Sequence, residues 1–260
     1  MDVITELQST LRYHFPLTER VRMLLRLEEV LGRVHRLADS RRVEDHRGAL
    51  VALCEIIDLG SRIDLKSDLR IDLERQRGVS RSWQGNAAVD QASLENCLAE
   101  LDEVIGRIER SPGRAGNRCR DHEWLSLFRA RLAVPGGATQ YDLPSFNFWC
   151  HRDHDLRRAD ILEWLNDFDE VEAAASLALR LLRTSAEPQR VSAVDGFFEQ
   201  PIQGRPPQLA IIDVPVDCPC IPEISANRFV FTVRFQHFDL TSRPRPCEEA
   251  VDFQLALCGL

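Results

Sequence analysis

The sequence predicts an α+β protein: a mainly helical N-terminal domain over residues 1–187, then a small antiparallel β domain over residues 188–260 that the N-terminal segment 1–16 is a candidate to complete. Two observations predict it. Up to Ser185, apolar residues recur at three- and four-residue intervals, the spacing that lines one face of a helix. Beyond Ser185 prolines become frequent and the period falls to two, the spacing of a strand with one buried face. Helices gathered before strands, rather than alternating with them, make the class α+β and not α/β.

Each element follows from local rules. Thr18, after Pro16-Leu17, carries a hydroxyl that caps a helix start, and Val21, Leu24, Leu27, Leu31 and Val34 then form an apolar stripe. The polar side of that helix holds Arg22, Arg26, Arg33 and Arg36, partly offset by Glu28 and Glu29. A second helical run starts near Asp45, carries Leu50, Leu53, Ile56 and Ile57, and has a natural stop at Gly60. Lys66 to Gln76 is highly charged. A further stripe after Asp90 aligns Leu94, Cys97, Leu98, Leu101, Ile105 and Ile108 until Gly113 and Gly116 break it. Trp124, Leu125, Leu127, Phe128 and Leu132 continue the pattern up to Pro135-Gly136-Gly137, a turn that must end it. One last long helix, rich in Ala, Leu and Glu, is expected from about Leu156 to Leu182. Three strands follow: Gln208 to Val214, a second with Phe229, Phe231, Val233 and Phe235 on one face, and a third with Val251, Phe253, Leu255 and Leu257 on one face.

With 260 residues and 44% hydrophobic content the chain has enough apolar side chains for a proper core. A formal charge of -8 argues against a nucleic-acid partner, because phosphate binding rests on clustered positive charge. Lys66 is the only lysine; an arginine bias of this kind is what a GC-rich genome produces by itself, and the alternative reading is that arginine supplies planar, bidentate donors for carboxylates. Met1 to Arg12 holds Asp2 and Glu6 without an apolar run, and no window approaches a membrane span, so a cytoplasmic protein without a membrane partner is expected. Eight scattered cysteines in a chain of this length read as reduced thiols.

Local chemistry has no strong advocate. Pro135-Gly136-Gly137 lacks the spacing of a phosphate loop, and no G-x-S-x-G elbow is present. His151 and His154 stand at metal-compatible spacing beside Asp153 and Asp155, but the same residues suit a solvated helix start capped by Asp155. Cys218-Pro219-Cys220 with Cys247 and Cys258 offers four thiols, in a spacing that departs from paired C-x-x-C. No catalytic residue, metal or cofactor is assigned. A metal-dependent hydrolase using His151 and His154, or a helical scaffold for some other protein, stands as the alternative.

The segments FPLTERVRMLLRLEEVL, VDQASLENCLAELDEVI, RLAVPGGATQYDLPSFNFW, FVFTVRF and VDFQLALC extend, in that order, over nearly the whole chain. Their order resembles that of the bacterial cell division protein family ZapD, most specifically in the proline-glycine-glycine turn followed by D-L-P and an aromatic-tryptophan pair. The resemblance implies a cytoplasmic, homodimeric, non-enzymatic protein that binds the C-terminal tail of the tubulin-like protein FtsZ and bundles FtsZ filaments at midcell. A tail with acidic and apolar residues wants an apolar groove edged by arginines. Arg26 matches the arginine of the family's L-R-x-E segment and Arg131 the arginine before its P-G-G turn. The partner-binding candidates are therefore Arg22, Arg26, Arg131 and Asn147, with Phe146, Phe148 and Trp149 as an apolar floor and Pro135, Gly136 and Gly137 as a structural turn. Where family members carry further basic residues, this chain has Glu123 and Asn147.

Overall fold

The computed structural model describes residues 10–62, 64–139 and 141–259, so positions 1–9 of the N-terminal segment lie outside the described residues. Helices precede antiparallel sheets, the α+β class that the change of period predicts. The chain divides into two compact units, Leu24–Ala178 and the pair Met1–Met23 with Leu179–Leu260.

Helix α1 (Glu19–Ala38) starts where its cap predicts, with the Val21 amide donating to Thr18 Oγ1 at 3.2 Å. Its stripe from Leu24 to Val34 is buried, Leu27 and Val34 fully so. Helix α2 (Val43–Arg62) runs through Gly60 instead of stopping there. That glycine answers a packing need: a Cβ at this position would lie 3.4 Å from the Ala115 carbonyl oxygen and 3.7 Å from the Phe168 ring. Helix α3 (Leu65–Arg81) is charged on its surface but buries Leu65, Leu69 and Leu73, and helix α4 (Gln91–Arg110) is capped by Asp90, which accepts from the Ala92 amide at 3.2 Å.

After α4 come α5 (Asn117–Asp121), α6 (Glu123–Leu132), α7 (Pro144–Cys150), α8 (His154–Leu165) and α9 (Asp169–Arg183). The single long helix expected from Leu156 to Leu182 is thus two, separated by a 3-10 turn over Asn166–Phe168. Tertiary contacts explain the break. The Asp167 carboxylate accepts from the Cys119 amide at 3.1 Å, its carbonyl accepts from the Gly116 amide at 3.3 Å, and Phe168 is fully buried. These partners reward a tightened turn that helix propensity alone would not form.

At the Pro135-Gly136-Gly137 turn the two glycines serve different needs. Gly136 has φ +71° with open space around it, whereas a Cβ on Gly137 would lie 2.5 Å from the Arg131 carbonyl oxygen and 2.8 Å from Val134 Cβ. Gly136→Ala is expected to cost about 1 kcal/mol, the ordinary cost of a left-handed non-glycine residue, and Gly137→Ala about 2 kcal/mol because backbone must move. Urea denaturation of the two variants measures this; equal losses would mean that the close approach relaxes freely.

The β unit pairs two antiparallel sheets. The first has the order β1 (Thr10–Pro16), β4 (Leu209–Pro215), β8 (Val251–Cys258), β2 (Gln189–Ala193). The second has β3 (Phe197–Pro201), β6 (Val230–His237), β5 (Cys220–Ala226), with the short β7 (Arg245–Pro246) also on β6. One apolar core lies between them, where Phe253 of the first sheet meets Phe198 and Phe235 of the second edge to face at 5.5 and 5.1 Å. Alternation holds in β6, whose Phe231, Val233 and Phe235 are buried. Phe229 departs from it: the residue precedes the strand, is 64% exposed, and carries the Arg228 guanidinium over its ring. Register on the first sheet is pinned by Arg12, which grips its cross-strand partner Asp213 through two bonds of 2.7 Å.

Candidate binding site

Helix α7 starts at Pro144, where a missing N–H costs nothing. Its buried face is Phe146, Trp149 and Cys150, at helical spacing, while Phe148 on the opposite side is 72% exposed. Helix α6 presents Trp124 and Phe128 one turn apart, with rings stacked at 5.9 Å, and α8 adds Trp164. Trp124 is the hub. Its ring lies 5.5 Å from Trp164 and 5.9 Å from Trp149, and Phe128, Phe146 and Trp149 extend the wall at 5.0 and 6.3 Å.

The three indoles border a cavity of about 310 Å³ lined by His122, Trp124, Ser145, Phe148, Trp149, Arg152, Asp160 and Trp164. Two of the three indole N–H groups at its wall have side-chain acceptors: Trp124 Nε1 donates to Ser145 Oγ at 3.0 Å and Trp149 Nε1 to Asp160 Oδ2 at 2.9 Å. Arg152 donates to the same Asp160 oxygen, so the one cation and the one carboxylate of the lining offset each other. His122 caps α6 by accepting the Leu125 amide at 3.3 Å and meets Trp164 edge-on at 5.6 Å. The result is an apolar pocket with a polar rim, of a size and lining that can take apolar side chains.

Behind the wall lies a buried polar pair. His46 is fully buried, bonds the Ala38 carbonyl through Nε2 at 3.1 Å, and accepts from Arg157 Nε through Nδ1 at 3.1 Å. Accepting at Nδ1 requires the neutral tautomer with the proton on Nε2. Burial, with help from the Arg157 and His154 charges, pushes the imidazole below its ordinary value of 6.5. The sign follows. Above that value neither state binds the proton; below it the unfolded chain does and the folded chain resists, so stability is lost as pH falls toward the depressed value. The urea midpoint of the parent is expected to fall between about pH 7 and about pH 5 more steeply than that of His46→Gln. Parallel profiles would remove His46 from the acid response.

The residues singled out in the sequence are dispersed. Phe146 and Trp149 form the buried wall, Phe148 stands at the lip, and Asn147 is half-buried, its side-chain oxygen shielded without a hydrogen-bond partner. Arg22 pairs with Glu19 at 3.2 Å; Arg26 and Arg131 are exposed and do not line the cavity. The cations at the aromatic face are instead Arg152 in the cavity lining and Arg47, whose guanidinium lies 5.2 Å from the centre of the Phe146 ring. Arg47, Arg152, Asp160 and Trp164 escaped sequence reasoning because no spacing rule joins them to Phe146-Trp149. Tryptophan scarcity was the readable signal: the chain has four, and three converge here.

His151 is exposed and bonds the Asn147 carbonyl at 2.8 Å, while His154 bonds Asp155 at 2.8 Å and stacks on His46. The α8 cap is Asp153, accepting from the Asp155 amide at 2.9 Å, so the capping role expected of Asp155 belongs to its neighbour. Among the described residues the one grouping of three metal-competent side chains contains neither histidine. None of the eight cysteines is in a disulfide, and burial pushes the Cys54 and Cys119 thiols up to about 12. No helix among the described residues is long and apolar enough to cross a membrane.

Comparison with known proteins agrees with the resemblance. Residues 25–234 match the family model described as ZapD, cell division protein. The cell division protein ZapD of Aromatoleum aromaticum is 34% identical over 253 residues, covering 97% of this chain and 99% of that relative. The ZapD of an Azoarcus species is 36% identical over 248 residues, covering 95% and 99%. A family match over most of the chain and relatives aligned over nearly their full length together show that this chain belongs to the ZapD family of cell division proteins.

Proposed function

We propose that this division protein is a cytoplasmic, non-enzymatic factor that binds the C-terminal tail of FtsZ and, as a homodimer, cross-links FtsZ filaments at midcell. The observation that carries the reading is the open aromatic cavity beneath Phe148. It is assembled partly from Ser145, Phe148 and Trp149 of the segment that carries the family resemblance. A short acidic and apolar tail would place apolar side chains against these rings, and its carboxylates would pair with arginines, for which Arg26, Arg131, Arg47 and Arg152 are the candidates. The net charge of -8 repels acidic filaments generally and leaves attraction to local arginines.

One tail site per chain decorates a filament; linking two filaments needs two sites, which a twofold dimer provides. Weak sites suffice, since a second attachment to a filament is effectively intramolecular and raises avidity on the order of 10² to 10⁴. Cosedimentation tests the reading: this protein should pellet with intact FtsZ and not with tail-deleted FtsZ. Equal pelleting with both sinks tail docking. Arg26→Glu is expected to weaken tail-peptide affinity about tenfold while changing stability by less than about 0.5 kcal/mol, because charge reversal on an exposed helix face mainly alters long-range attraction. Unchanged affinity in the folded variant removes Arg26 from the site.

A further inference from the structure

The β unit holds a second cluster unrelated to the aromatic cavity. Cys220, at the start of β5, and His237, at the end of β6, are direct cross-strand partners, with Cys220 Sγ 3.5 Å from His237 Nδ1. On the other side of β6, Cys247 directly follows β7, and its amide donates to the Phe235 carbonyl at 3.0 Å. Three adjacent strands therefore deliver two thiols and an imidazole whose ligand atoms all lie within 4.8 Å of one another. Cys218 stands outside that grouping but next to it, half-buried, with Sγ 3.8 Å from the Cys220 carbonyl, and is the candidate for a fourth ligand.

We propose that Cys218, Cys220, His237 and Cys247 form a structural site for a thiolate-preferring divalent cation, zinc above all. Tetrahedral zinc, with bonds of about 2.3 Å to sulfur and about 2.05 Å to nitrogen, sets a sulfur and a nitrogen ligand about 3.6 Å apart, close to the Cys220 to His237 distance here. Soft sulfur donors with one imidazole select zinc over magnesium or calcium, which take oxygen. Cys220 and Cys247 are 4% and 2% exposed, and full occupation by four protein ligands closes the site, the mark of a structural rather than a catalytic centre. Coordination requires each thiol to give up its proton, so binding releases protons and weakens as pH falls. The bound ion would tie β5, β6 and β7 together and fasten the loop 238–246, which offers only the two-residue β7 as regular pairing.

Sequence spacing hid the site because Cys258 looked like the fourth thiol. Its sulfur instead contacts the Arg183 carbonyl at 3.8 Å, and His237 takes its place through strand register. The test uses the full chain, purified with reductant. Elemental analysis should find about one zinc per chain, and cobalt(II) added to the stripped protein should give the intense ligand-field bands of a tetrahedral site with thiolate charge transfer. Removing the metal should lower the melting temperature by about 5 °C or more, and Cys220→Ser and His237→Gln should each cut cobalt affinity at least about tenfold, while Cys97→Ser leaves it unchanged. Should the ligand variants not fold, the cobalt spectrum of the parent decides alone. An octahedral spectrum, absence of stoichiometric binding, a Cys220 to Cys247 disulfide recovered from reduced protein, or equal affinity in Cys220→Ser would each overturn the proposal.

Discussion

Trp149→Ala is expected to lower the free energy of unfolding by about 4 kcal/mol, within the range for truncating a large buried aromatic. Trp149 is 4% exposed, stacks on Phe146 at 6.3 Å, contacts Trp124 at 5.9 Å, and satisfies Asp160 at 2.9 Å. Truncation removes all of these together and leaves a void beside rings that are themselves held by neighbours, so the wall has little freedom to collapse. Urea denaturation measures the loss, and a value below about 1 kcal/mol would show that the wall repacks. Phe148→Ala separates stability from binding. Its ring is 72% exposed, so its loss should change stability by less than about 0.5 kcal/mol while weakening tail-peptide binding about tenfold or more.

Gly196→Ala is expected to cost about 3 kcal/mol, against about 1 kcal/mol for Gly136→Ala, although both glycines have positive φ. The difference is space. A Cβ at Gly196 would lie 2.3 Å from the Cys247 carbonyl oxygen and 3.0 Å from Cys247 Cβ, whereas at Gly136 nothing lies within 4 Å. Gly196 cannot shift to make room, because its amide donates to the Glu249 carbonyl at 2.9 Å and its carbonyl accepts from the Phe235 amide at 2.8 Å. Thermal or urea melts of the two alanine variants test the ranking; equal costs would mean that the segment around Cys247 yields.

Features legible from residue order alone are those that short-range rules govern. The starts of α1 and α4 were legible because Thr18 and Asp90 bond amides only three and two residues ahead, and β6 and β8 because a period of two survives in a half-buried strand, whereas β4 is buried along Leu209–Val214 and shows no such period. The Asp195-Gly196 turn between β2 and β3, with φ of 51° and 67°, went unread because the weakly alternating flanks concealed the strands it joins. Other features were decided only by tertiary structure: the break at Asn166–Phe168, Gly60 inside α2, Trp124, Trp149 and Trp164 around one cavity, and His237 beside Cys220 and Cys247. Each depends on partners tens of residues away in the chain, where local propensity and spacing carry no information and burial, register and hydrogen-bond satisfaction choose the conformation.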